Sequence, residues 1–117
     1  MGGVIQHPSY DGKTVTLLED GRVISQVEIN SGKSLRQLIS KDFITDAFFS
    51  ENGKYLVSGS SSWKGTGYIT RLSDGKQVRS FKNSSGKWKG VDIYGISPDS
   101  RAILLREGTL KLVDIQD

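Results

Sequence analysis

The chain has 117 residues, a formal net charge of +3 and 35% hydrophobic residues, with 14 glycines, two prolines and no cysteine. That is one domain at most, and the missing cysteine excludes a disulfide framework and thiol chemistry. No apolar run approaches the roughly 18 residues of a membrane helix, and no positively charged then apolar signal peptide opens the chain. Met1-Gly2-Gly3 suggests an N-terminal myristoylation signal, but Gln6 stands where the motif needs Ser or Thr. A cytoplasmic protein with no membrane association is the expectation.

In chain order, Val4 to Pro8 reads as a first strand that ends in the turn Ser9-Tyr10-Asp11-Gly12-Lys13. Thr14 to Leu18 is a second strand. Asp20-Gly21 signals a tight hairpin, because glycine adopts positive φ without steric cost. Val23 to Ile29 alternates as a third strand, with Val23, Ser25, Val27 and Ile29 on one face. After Asn30-Ser31-Gly32-Lys33, the segment Ser34 to Leu38 is a fourth strand whose polar residues and Arg36 suit an outer edge.

Ile39 to Phe43 then crosses to a second unit with strands at Thr45 to Phe49, Tyr55 to Ser58, Gly67 to Leu72 and Gln77 to Phe81. Between its second and third strands lies the long loop Gly59 to Thr66. A second long loop, Lys82 to Gly90, leads to a third unit with strands at Val91 to Ile96, Ala102 to Leu105 and Thr109 to Ile115.

These units are copies of one another. Ser9-Tyr10-Asp11-Gly12-Lys13 recurs as Ser50-Glu51-Asn52-Gly53-Lys54 and as Ser97-Pro98-Asp99-Ser100-Arg101. The seven residues from Gly32 to Leu38 match those from Gly75 to Phe81 as Gly-Lys, variable, apolar, Arg, polar, apolar. The spacings fit a period of about 44 residues, the length of one four-stranded propeller blade. The expected fold is therefore all-β, with blades of four antiparallel strands: blade 1 at 1–40, blade 2 at 41–84 and an incomplete blade 3 at 85–117. Ile29, Leu72 and Ile115 align, so a twelfth strand would follow Gln116-Asp117.

Phe48-Phe49-Ser50-Glu51-Asn52-Gly53-Lys54-Tyr55-Leu56-Val57-Ser58-Gly59-Ser60 resembles the first-to-second-strand segment of the WD-repeat β-propeller family. The resemblance covers essentially the whole chain, strongest in the second unit. The Trp-Asp pair of that family is replaced by Val27-Glu28, Thr70-Arg71 and Val113-Asp114, so the repeat is WD-like and degenerate. The resemblance implies a protein-interaction scaffold that is not an enzyme and uses no cofactor. Rings close with about 4 to 8 blades, and stacked repeats depend on their neighbours. Three blades therefore imply a homo-oligomer, another propeller segment or a larger propeller chain.

Binding candidates sit on the long loops, where Trp63-Lys64 and Trp88-Lys89 place an aromatic beside a cation. Such loop aromatics anchor protein partners or sugars, and with lysines they also suit RNA. A glycan- or RNA-binding propeller is the alternative function. Either tryptophan could instead cover a blade edge, its indole N–H bonded to a backbone carbonyl. The single histidine, His7, stands near Ser9 and Asp11, but a turn-capping Asp and a packed His explain the trio more simply than a catalytic triad. One His and no Cys leave only carboxylates as metal ligands, so no metal site is expected. The turn lysines are solvated charge, and protein partners are expected rather than nucleic acid.

Overall fold

The computed structural model describes residues 4–61, 65–82 and 90–115, and among these it contains eleven strands and no helix. Strands β1 (Val4–Pro8), β2 (Thr14–Glu19), β3 (Val23–Glu28) and β4 (Ser34–Ile39) form one antiparallel sheet in chain order. Strands β5 (Asp46–Phe49), β6 (Tyr55–Gly59), β7 (Thr66–Arg71) and β8 (Gln77–Lys82) repeat that arrangement. A third sheet joins β9 (Asp92–Ile96), β10 (Ala102–Glu107) and β11 (Thr109–Asp114). Each sheet is a propeller blade, called here the first, second and third, and β1, β5 and β9 are the inner strands.

The strands fall within a residue or two of their expected places, because turn chemistry brackets them. At the first hairpin of the first blade, Ser9 Oγ donates to Asp11 Oδ1 at 2.7 Å, and the Lys13 N–H donates to the same oxygen at 3.0 Å. The same bonds recur from Ser50 and Lys54 to Asn52, and from Ser97 and Arg101 to Asp99. A short side chain that satisfies nearby backbone groups makes the turn in advance of the strands. Asp20 and Gly21 both take positive φ, 53° and 71°, in the three-residue connection between Glu19 and Val23, where the Arg22 N–H donates to the Glu19 carbonyl at 3.1 Å. Ile29, Leu72 and Ile115 donate in turn to the carbonyls of Lys13, Lys54 and Arg101. The repeat is thus visible atom by atom. Ile29 itself lies one residue beyond β3 and is exposed.

Strand register decides which residues face a neighbouring blade. Leu56 pairs with Thr70 and Val57 with Ile69, so alternate residues look toward the first and third blades. Leu18, Ile24, Ile44, Ala47 and Leu56 close the first interface. Val57, Ile69, Val91, Ile93, Ile103 and Leu105 are at the heart of the second. The second interface is tight where Gly59 meets the third blade: a Cβ there would lie 2.7 Å from Ile93 Cγ1 and 2.9 Å from the Val91 carbonyl oxygen. The blades are also linked at their turns. The Tyr10 N–H donates to Glu51 Oε1 at 2.6 Å, and the Asn52 N–H donates to Ser100 Oγ at 3.0 Å. Ser100 holds φ 63° where the other two units have glycine, and its hydroxyl is the link that a glycine would lack.

Two substitutions test this packing. Ile69→Ala is expected to cost about 2–5 kcal/mol by opening a cavity in the second interface. Gly59→Ala should cost about 1–3 kcal/mol by overpacking the same interface. Urea unfolding of each variant measures both, and a loss below about 0.5 kcal/mol in either would contradict the assigned interface.

Candidate functional site

Three regions carry chemistry beyond packing: the outer face of the third blade, the junction of the inner strands and the seam between the first and second blades. The first follows from the repeat. Leu104 pairs with Leu112 as Val57 pairs with Ile69, and Leu110 holds the rung that Ile24 holds in the first blade. Val57 and Ile69 are fully buried and Ile24 is 2% exposed, whereas Leu104, Leu110 and Leu112 are 39%, 54% and 74% exposed. Among the described residues, the equivalent positions of the first two blades have a following blade and a fourth strand beside them, and those of the third blade have neither. At the opposite end, Val15 and Leu17 are half-buried, while their counterparts Leu56, Ser58, Ile103 and Leu105 are buried.

At the inner strands, the His7 ring stacks on Phe48 with centroids 4.2 Å apart, and His7 Nε2 lies 3.3 Å from Asp46 Oδ1. Burial raises the Asp46 carboxyl above the ordinary aspartate value, opposed by the bond and charge of His7 and reinforced by the nearby Asp92 charge. Ser9 and Asp11 bond each other instead of His7, so the trio from the sequence is not a triad. Ser9 and then the Lys13 amide hold the Asp11 carboxyl low, as Ser97 and the Arg101 amide do for Asp99. These are turn carboxylates in structural use. Among the described residues, no three His, Cys, Asp or Glu side chains are grouped to hold a metal ion.

A cleft of about 430 Å³ runs along the seam between the first two blades and reaches β9 of the third, with walls that include His7, Gln26, Arg36, Phe48, Phe49 and Tyr94. Arg36 also borders a second cleft of about 530 Å³ with Lys54, Tyr55, Arg71 and Leu72. Its guanidinium sits 5.9 Å from the Phe49 ring centre, and its buried Nε has no hydrogen-bond partner. The sequence reading marked Arg36 only as an edge-strand charge. Its register opposite Gln26, facing the second blade, is what gives it a cleft. Trp63, Lys64, Trp88 and Lys89 lie outside the described residues.

No protein-family model matches the chain, and no curated protein matches it significantly. Among solved structures, the chain is similar to one chain of a mitotic checkpoint complex, with a TM-score of 0.64 and 16% identity over 97% of its own length. It spans about a third of that longer chain, 34%. At this identity the likeness shows a shared fold. Together with sheets of four antiparallel strands, it places the protein among all-β, propeller-like structures. Among the described residues, no helix is long and apolar enough to cross a membrane.

The Asp46 environment gives a pH prediction. Its folded carboxyl binds a proton more tightly than the unfolded one, so its contribution to stability is full below about pH 4 and falls as pH rises through the raised value. Asp46→Asn removes that loss. Urea unfolding of both proteins from pH 3 to 7 should show the variant gaining on the native chain as pH rises. A difference that shrinks with rising pH would refute the assigned burial effect.

Proposed function

We propose that the chain is a non-enzymatic, WD-repeat-like propeller segment that serves as a scaffold for protein partners, with its ring completed by further blades on its open faces. The carrying observation is the exposure of Leu104, Leu110 and Leu112 at rungs that the second blade buries as Val57, Gly67 and Ile69. Apolar patches of this kind mark interfaces. A covering blade would present to them the face that Ile103 and Leu105 present to the second blade. The first blade of another copy carries Val15 and Leu17 at those rungs, so two copies arranged head to tail would give a closed ring with twofold symmetry. The similar chain also belongs to a complex, which agrees with a partner-holding role. The non-enzymatic part of the reading is supported by the chemistry at His7: its one described side-chain bond goes to Asp46, and the nearby Ser9 hydroxyl is spent on Asp11. A cytoplasmic setting is part of the same proposal.

Light scattering after size exclusion tests the ring. The native chain should run at twice its 12.8 kDa mass or more. Leu112→Asp should weaken association at least about tenfold, because it places an unpaired charge in the contact. A monomer that binds an apolar-surface dye would move the covering blade to a different chain. A monomer that binds no dye would overturn the proposal.

A further inference from the structure

The two blade interfaces are built on the same rungs, and two of those rungs change from apolar to polar. Ser58 pairs with Tyr68, as Leu17 pairs with Ser25 and Leu105 with Lys111 in the other blades. Thr70 pairs with Leu56, as Val27 pairs with Val15 and Val113 with Ile103. At the second interface Leu105 is fully buried in the core and Val113 packs against it. At the first, Ser58 and Thr70 line a cleft of about 430 Å³ between the blades. They are 7% and 9% exposed, and no described residue hydrogen-bonds either hydroxyl. Hydroxyls so placed lose most of their water without gaining a partner from the protein. Ile24, Leu38 and Leu56 give the same cleft an apolar wall, and the half-buried Tyr68 adds an aromatic one. Lys41 and Asp42, on the crossover to β5, bring one charge of each sign.

We propose that the cleft of Ser58 and Thr70 between the first two blades binds a neutral saccharide ring, a function beyond the holding of protein partners. A wholly apolar ligand would leave both hydroxyls buried and unpaired. A strongly charged ligand would meet one cation and one anion, with no net attraction. A sugar suits both kinds of wall. Its hydroxyls exchange hydrogen bonds with Ser58 and Thr70, which donate and accept, and with the Asp42 carboxylate, which accepts. Its C–H face lies on Leu38 or on the Tyr68 ring. The volume of the cleft falls in the range of small-ligand pockets. The site lies on strand faces, whereas the sequence placed a glycan site on the tryptophan loops.

The test is saturation-transfer NMR on the full chain with methyl glucoside, methyl galactoside, methyl mannoside and N-acetylglucosamine, and with glycerol as the control. At least one sugar should receive saturation at millimolar concentration and glycerol should not. Ser58→Leu combined with Thr70→Val gives this seam the residues of the other blades. That double variant should weaken the best sugar at least about tenfold, as expected for the loss of two neutral hydrogen bonds. Asp42→Ala alters an exposed crossover side chain and carries the test, with a several-fold loss expected, if the double variant fails to fold. Silence from all four sugars, or equal transfer to glycerol, would overturn the site. Unchanged affinity in the folded variants would do the same. Solution mass reads the ring contacts separately, so a failed sugar test leaves the partner-holding proposal standing.

Discussion

A blade of this protein is a sheet of four short strands with two apolar faces, and neither face can be sealed from within the blade. Everything else in the structure answers that constraint. Burying a Val or Ile side chain contributes about 1.5–3 kcal/mol, and these strands can realise it only against a neighbouring blade. Ile69 and Ile103 are fully buried because the second and third blades meet there. Leu112 holds the rung of Ile69 and is 74% exposed because no described element follows.

The turns also tie neighbouring blades together. Three Ser-x-Asx turns with the same hydrogen bonds bring three hairpins to one rim of the array. Once there they touch: Glu51 takes the Tyr10 amide, and Ser100 takes the Asn52 amide. Ser100 accepts a left-handed backbone conformation that is costly for a non-glycine residue. Its hydroxyl turns that conformation into a bond between blades.

Repetition also makes differences informative. The inner-strand rung that holds His7 in the first blade holds Phe48 in the second, and the two rings stack across the seam. The rung that holds Asp114 in the third blade holds Arg71 in the second, so otherwise matching interfaces have different electrostatics. One is closed by the protein's own backbone. At the other, Arg36 of the first blade and Lys54 and Arg71 of the second border an open cleft.

Strand order and turn type were legible in the amino-acid sequence, because both depend on local rules. Asp-Gly and Ser-x-Asp-Gly turns, period-two alternation and a spacing near 44 residues act over a few residues each, or repeat identically. The individual role of Arg36 was not legible. Its meaning depends on the β3–β4 register and on what the second blade presents across the seam, contacts between residues far apart in the chain. The same holds for His7, whose sequence neighbours Ser9 and Asp11 suggested one partnership while folding supplied Phe48 and Asp46, about forty residues away. Local propensity determined the blades; inter-blade packing decided which side chains are buried, paired or left facing a cleft.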